Sequence, residues 1–179
     1  MRELTEEELK LVIAKLTKFV GSSIKEILER EDQRYVLRLH KEKVYYARED
    51  LVKIALNFGK DELLSFGTCL GKFTKTKKFR LQITCLDVIA HYSKYKIWVK
   101  PNGEQAYIYG NHVVKSYISR MTENVPKNVG CVVYSLADIP LGFGVSAKST
   151  VECRDLEPTA IVLLNQCDIG EYLRMESDK

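Results

Sequence analysis

The pattern of apolar residues changes near residue 94, and this change limits the folds that the chain can adopt. Up to Ser93, helical spacings alternate with strand patterns. Thr5 and Glu8 form a capping box before a helix, and YVLRLH and VYYA (residues 35–40 and 44–47) predict a hairpin. From Lys94 onwards, short apolar runs separated by turn residues predict a small β-rich barrel. We therefore expect an α+β chain of two domains, residues 1–93 with an antiparallel sheet and flanking helices, and residues 94–179 with a pseudo-barrel.

Several segments within these domains carry predictions of their own. LLSFGTCLGKF (63–73) and KFRLQITCL (78–86) predict strands, and a short helix is expected around Leu86–Tyr92. In the second domain KIWVK predicts a strand, PNGE a turn, and EQAYIYGNHVVKSYISRM (104–121) a helix with Gly110 inside or bounding it. VGCVVYSL, LGFGVSA and TAIVLLNQ predict three further strands, and DIGEYLR a short final element.

Positive charge is concentrated in the middle of the chain. The net charge of the whole chain is +4, yet residues 71–100 hold eight of its cations and a single acid, Asp87. A basic block inside a nearly neutral chain predicts a localised anionic partner.

Five of these cations lie in one stretch, GKFTKTKKFRL (71–81), which also contains two threonines. Ammonium and hydroxyl groups at this density are typical of a surface that follows a phosphate backbone. The alternative is a solvated hairpin whose lysines only prevent edge-to-edge pairing of strands. Phe73 and Phe79 are expected in the core. Lys94, Lys96 and Lys100 have even spacing, which predicts a second cationic row and, with the first, one patch across both domains.

The chain resembles the Nip-seven family of large (60S) ribosomal subunit biogenesis factors over essentially its whole length. The segments that carry this resemblance are MRELTEEE, RLHKEKVYYA, FGTCLGKFTKTKKFRLQIT, YKIWVKPNGEQAYIYGNHVVKS, ADIPLGFGVSAKST and QCDIGEYLR. It implies that residues 94–179 form a PUA domain, a small RNA-binding pseudo-barrel. It also implies pre-rRNA binding and processing, nucleolar pre-ribosome assembly factors as partners, a location in the nucleus and nucleolus, and a monomer when free.

Two surfaces follow as site predictions. The RNA-binding residues are expected to be Lys72, Lys75, Lys77, Lys78, Arg80, Lys94, Lys96, Lys100, Lys115, Lys148 and Arg154. The alternative function is a protein–protein adaptor in pre-ribosomes, which would use an apolar PUA face at Leu141, Phe143 and Val145.

We expect no catalytic residue, cofactor or metal. LGFG (141–144) lacks the third glycine and the following helix of a dinucleotide loop, and no G-x-S-x-G or P-loop motif is present. The five cysteines have no C-x-x-C spacing, which favours small buried hydrophobic residues over disulfides or zinc ligands. The polar N-terminus MRELTEEELK and the lack of a long apolar run predict an intracellular protein without membrane spans. The remaining alternative is an RNA-modifying enzyme, since PUA modules often accompany such catalysts.

Overall fold

The computed structural model describes residues 1–175, which form two compact units, one from Met1 to Cys85 and one from Leu86 onwards. The last four residues of the predicted second domain lie outside the described residues. The helix Leu86–Tyr92 belongs to the second unit, where the Tyr134 hydroxyl donates a hydrogen bond to the Ala90 carbonyl at 3.0 Å. The domain boundary at residues 93 and 94 stays a prediction.

The first unit is a four-stranded antiparallel sheet with helices on both faces. The strands follow the order β1-β2-β3-β4. The elements are α1 (Glu6–Val20), α2 (Ile24–Leu28), β1 (Tyr35–His40), β2 (Lys43–Arg48), α3 (Glu49–Ala55), β3 (Thr68–Phe73) and β4 (Phe79–Leu81).

Two neighbouring tyrosines show how the sheet is covered, because successive side chains of a strand point to opposite faces. Tyr46 donates its hydroxyl to the Ile27 carbonyl in α2 at 2.7 Å, on the face that α2 covers. Tyr45 lies in a cluster with Val52 of α3 and stacks on Phe66, with ring centroids 4.5 Å apart. The sheet is therefore packed between α2 on one side and α3, with the segment that follows it, on the other.

The start of α1 confirms the predicted capping box. The Thr5 hydroxyl accepts the Glu8 amide at 3.3 Å, and the Glu8 carboxylate accepts the Thr5 amide at 2.9 Å. Arg2 donates two hydrogen bonds to the same carboxylate, and these are the main reason why the pKa of Glu8 is lowered to about 2.

The second unit is built on a six-stranded, barrel-like sheet. Its strands follow the order β6-β10-β9-β8-β5-β7, and all pairs are antiparallel except β5 with β8. The elements are α4 (Leu86–Tyr92), β5 (Lys96–Val99), α5 (Pro101–Ile108), β6 (Val113–Val114), β7 (Ile118–Met121), β8 (Gly130–Tyr134), β9 (Pro140–Ser146), β10 (Ile161–Asp168) and α6 (Glu171–Arg174).

The predicted helix over residues 104–121 is confirmed only as far as Ile108, and the predicted turn at PNGE is wrong. Helix α5 begins at Pro101, which occupies its first turn, and ends at Ile108. Gly110 then takes a φ of +94°, a left-handed conformation that a helix interior excludes. Beyond it, β-branched Val113, Val114 and Ile118 enter strands, where their stiff side chains fit well. The strand predicted over residues 78–86 is shorter than expected, because a 3₁₀ turn begins at Ile83.

The core of the second unit is apolar and closed around one buried tyrosine. Tyr107 is fully buried, and its hydroxyl lies 3.1 Å from the carbonyl oxygens of Phe143 and Cys167. Burial raises the pKa of Tyr107 well above its ordinary value. Of the five free cysteines, Cys85, Cys131 and Cys167 are buried as predicted, whereas Cys69 and Cys153 are half-buried.

No helix in residues 1–175 has both the length and the apolar composition that a membrane crossing requires.

Candidate nucleic-acid interface

The basic stretch forms the β3–β4 hairpin of the first unit. Its turn is closed by hydrogen bonds from the Lys77 amide to the Thr74 carbonyl and from the Thr74 amide to the Lys78 carbonyl, at 2.8 and 2.9 Å. Lys77 takes a left-handed φ of +56° at this turn. Phe73 and Phe79 face each other at 5.2 Å on the inner side and are buried, as predicted.

Close contact between the two strands depends on Gly71. A Cβ atom at this position would lie 2.1 Å from the Arg80 carbonyl oxygen and 2.8 Å from the Phe79 ring. Glycine therefore allows β4 to lie against β3 with its cations in a fixed register.

Three cations lie directly opposite one another across three strands. Lys43 of β2 pairs with Lys72 of β3, and Lys72 pairs with Arg80 of β4. All three side chains are exposed, and within residues 1–175 none of them forms an ion pair. Like charges directly opposite each other destabilise a sheet. We call Lys43, Lys72 and Arg80 the cation row. The repulsion among these charges destabilises the free protein, and an anionic partner would offset it.

The cation row also contains a residue that sequence reasoning missed. Lys43 was absent from the predicted site because 28 positions separate it from Lys72, and only the strand register brings the two together. The predicted hairpin, with strands over residues 35–40 and 44–47, placed Lys43 in its turn, and no sequence signal relates that turn to β3.

The remaining lysines of the hairpin have a different environment. Lys75, Lys77 and Lys78 are exposed as predicted. Lys75 and Lys77 line a cavity that is also lined by Glu6, Glu7 and Glu8 of the first turn of α1. Those carboxylates repel a phosphate chain, so the five predicted cations are not equivalent.

The second row predicted from Lys94, Lys96 and Lys100 stays a prediction, and the three lysines have different local contacts. Only Lys96 lies within β5, and its ammonium nitrogen is 5.4 Å from the centre of the Tyr134 ring. The Lys94 ammonium lies over the Tyr95 ring at 5.2 Å, and Lys100 donates to the Ser116 carbonyl at 3.1 Å before α5. Ile97 and Val99, at the odd positions that alternate with these lysines, are fully buried. The single patch across both domains stays a prediction.

Lys115 has a structural contact that the sequence did not indicate. Its half-buried ammonium donates hydrogen bonds to the carbonyls of Arg154 and Leu156, and so stabilises the loop around the 3₁₀ turn Glu152–Arg154. Lys148 is half-buried and Arg154 is exposed. The RNA contacts of these three cations stay predictions.

The predicted apolar docking face is wrong for two of its three residues. Leu141 is 2% exposed and Phe143 is fully buried, because β9 lies between β8 and β10 and packs against the core. Neither side chain can reach a partner while β9 stays in the sheet. Val145 is half-buried, and its role stays a prediction.

The middle position of the cation row predicts a gain in stability on neutralisation. Lys72→Gln removes the two like-charge pairs that Lys72 forms with Lys43 and Arg80. The free energy of unfolding should therefore rise by about 1 kcal/mol at low salt. Urea denaturation measures this change, with Lys15→Gln on the exposed side of α1 as the matched control. A loss of stability in Lys72→Gln would contradict the repulsion.

Two family models divide the chain between them. The model described as NIP7/UPF0113, pre-PUA domain matches residues 1–83, and the UPF0113 PUA domain matches residues 95–177. A curated protein of Xenopus laevis, called 60S ribosome subunit biogenesis protein NIP7 homolog, is 56% identical over 98% of both chains. The homolog of Sus scrofa is 54% identical over the same share. The chain belongs to the NIP7 family.

Solved structures place the NIP7-family chain in the same fold as archaeal PUA proteins. The match to a PUA domain of Aeropyrum pernix covers 96% of this chain and 87% of that protein, with a TM-score of 0.63 and 13% identity. The match to a hypothetical protein of Pyrococcus horikoshii covers 94% of this chain and 96% of that protein, with a TM-score of 0.58 and 13% identity. At these identities the likeness shows the fold, and it confirms the predicted α+β chain with a PUA-type pseudo-barrel.

Proposed function

We propose that this NIP7-family chain is a non-catalytic RNA-binding factor that assists pre-rRNA processing during assembly of the large ribosomal subunit. Its relatives are called 60S ribosome subunit biogenesis proteins, which supports the assembly role. The observation that carries the RNA contact is the cation row, Lys43, Lys72 and Arg80, on adjacent strands without an acidic partner among residues 1–175.

The geometry of the cation row suggests how RNA is held. Neighbouring strands lie about 4.8 Å apart, so a backbone that crosses β2, β3 and β4 meets one cation at each step. Lysine contacts phosphate as a point charge, whereas the planar guanidinium of Arg80 can bind two phosphate oxygens. Such contacts position RNA without reading its sequence, so specificity comes from RNA shape or from neighbouring proteins.

This function sets the compartment and the partners. The RNA partner is pre-rRNA, the protein partners are nucleolar pre-ribosome assembly factors, and the chain acts in the nucleus and nucleolus. The free chain is a monomer, since the proposed contacts are all made with other components of the particle.

Salt dependence tests the proposed contact directly. If the cation row and two flanking lysines neutralise about five phosphates, the logarithm of affinity for single-stranded RNA falls with the logarithm of salt at a slope of about −3.5. Affinity should then fall by roughly two decades between about 50 and 200 mM salt. Fluorescence anisotropy with a short labelled RNA measures the slope, and a slope near zero rejects the cation row as the binding surface.

A further inference from the structure

The turn between β8 and β9 presents two apolar side chains to solvent on a rigid support. Leu136 and Ile139 are 52% and 55% exposed. The turn is closed by Ser135, which lies directly before Leu136 and whose amide donates to the Ile139 carbonyl at 2.9 Å. The buried Ser135 hydroxyl accepts the amides of Ala137 and Ile139, both at 3.2 Å. The backbone that carries the two aliphatic side chains is therefore fixed by hydrogen bonds before any partner binds.

Asp138 connects this turn to the sheet. Its carboxylate accepts the Trp98 indole N–H at 2.6 Å and an Arg120 guanidinium N–H at 3.2 Å. The residue takes a left-handed φ of +59°, which costs free energy for a side chain other than glycine. The turn thus keeps an unfavourable backbone conformation in which its carboxylate reaches two other strands.

Arg120 is fixed in a stack of aromatic rings. Its guanidinium carbon lies 4.0 Å from the centre of the Trp98 ring, and Trp98 stacks on Tyr134 with centroids 5.7 Å apart. Tyr134 is 8% exposed and donates its hydroxyl to the Ala90 carbonyl, so the base of the stack is buried. The Arg120 side chain is nevertheless 60% exposed. Among residues 1–175 it donates only to Asp138, which leaves most of its five N–H donors available.

We propose that Leu136, Ile139 and Arg120 form a docking surface for a protein partner, which packs apolar side chains on the turn and places a carboxylate on Arg120. Charge favours an acidic segment, because the stack carries Lys96 and Arg120 while its acid, Asp138, is already engaged by Trp98 and Arg120. Arginine, tryptophan and tyrosine are also the residues most enriched at the centres of protein interfaces.

The arrangement favours protein over RNA as the occupant. Trp98 on β5 lies between Arg120 on β7 and Tyr134 on β8, and the Lys96 ammonium lies over the Tyr134 ring, so both rings are already engaged by contacts within the chain. The two exposed aliphatic side chains have no polar groups for a nucleotide. A pre-formed turn lowers the entropic cost of association with an apolar partner surface.

Photocrosslinking of the full chain tests this surface, with large-subunit precursor particles as the probe because the choice of particle rests on the proposed function. The crosslinking amino acid p-benzoylphenylalanine replaces Leu136 in one variant, the exposed Ile161 of β10 in a control, and Lys78 of the basic hairpin in a third. We expect an RNase-resistant protein adduct at position 136 that is weak or missing at 161. The crosslinked peptide, identified by mass spectrometry, should contain an acidic residue beside apolar ones.

A second substitution ties the adduct to Arg120. Arg120→Glu in the same chains should reduce the protein adduct at position 136 at least about tenfold, as for an anchor residue of an interface, and leave the adduct at position 78 within about twofold. Thermal melting checks that this variant is folded. An RNA adduct at position 136, equal adducts at 136 and 161, or an adduct insensitive to Arg120→Glu would each overturn the docking surface.

The third position separates the two proposals. An RNA adduct at position 78 without a protein adduct at 136 overturns the docking surface and leaves the proposed RNA contact standing. A protein adduct at 136 without RNA at 78 does the reverse. The absence of both adducts counts against both.

Discussion

A triple variant with Lys43→Glu, Lys72→Glu and Arg80→Glu should bind single-stranded RNA more than about a hundredfold more weakly than the unmodified chain. Each substitution removes one favourable contact and adds one repulsive contact with phosphate. At about 0.5 to 1 kcal/mol for each screened surface interaction, six such changes total at least about 3 kcal/mol. Titration of a short labelled RNA at low salt measures the loss.

The fold of this variant should survive. Three like charges remain opposite one another across β2, β3 and β4, now negative where they were positive. The repulsion within the sheet is therefore about the same as before. Equal melting temperatures of the variant and the unmodified chain would show this.

A matched variant separates local contact from net charge. Lys15→Glu, Lys25→Glu and Lys53→Glu produce the same change in charge in the first unit, on exposed positions of α1, α2 and α3. This control should lose no more than about tenfold in RNA affinity. If both variants lose affinity equally, RNA binding depends on overall charge and the cation row has no special part in it.

The sequence predicted those features of the fold that depend on neighbouring residues. The capping box of Thr5 and Glu8, the hairpin β1–β2 and the buried pair Phe73 and Phe79 are all local, and the structure confirms them. The helix predicted over residues 104–121 failed beyond Ile108 because the run of helical spacings continues past the conformation that Gly110 adopts. The pairing of Val113 with Leu163 of β10, some 50 positions away, then determined the structure of this segment.

The cation row shows why register is beyond local reasoning. Strands β2 and β3 are joined by α3 and a long segment, so no turn geometry fixes their register. A bulge between Val44 and Tyr45 also shifts the pairing by one residue. A shift of one residue would move Lys72 to the other face of the sheet, away from Lys43 and Arg80. The stretch GKFTKTKKFRL therefore indicated a basic surface, whereas the membership of that surface needed the structure.

A protein–protein contact of the second unit remains a proposal, but at a different surface from the predicted one. The predicted face on β9 is buried, yet exposed apolar side chains occur one turn earlier in the chain, at Leu136 and Ile139. LGFGVSA was misjudged because a central strand of a small barrel is apolar on both faces, which the sequence alone cannot separate from an exposed apolar patch. Trp98, Arg120 and Asp138 were missed because they come from three segments that only the sheet brings together.

The second unit should depend strongly on one partly buried ion pair near its C-terminal helix. Asp168 is 2% exposed, and Arg174 donates to both of its carboxylate oxygens at 2.9 Å. Arg174 also donates to the Ile108 carbonyl at the end of α5. Among residues 1–175, the carboxylate in Arg174→Ala keeps the 3.1 Å side-chain contact from Asn165 and loses both contacts from Arg174, which leaves a buried charge largely uncompensated. We expect the free energy of unfolding to fall by about 3 kcal/mol, measured by urea denaturation.

A double variant distinguishes the buried charge from simple loss of packing. Asp168→Asn together with Arg174→Ala removes both charges and keeps the shape of the buried side chain. Since burying a neutral amide costs less than burying an unpaired carboxylate, the double variant should lose only about 1 to 2 kcal/mol and thus be more stable than Arg174→Ala alone. With Asp168→Asn alone measured as well, the double-mutant cycle gives the coupling between the two side chains. If both lose the same amount, the contact of Arg174 with the Ile108 carbonyl and the packing of its stem account for the effect, and the buried carboxylate does not.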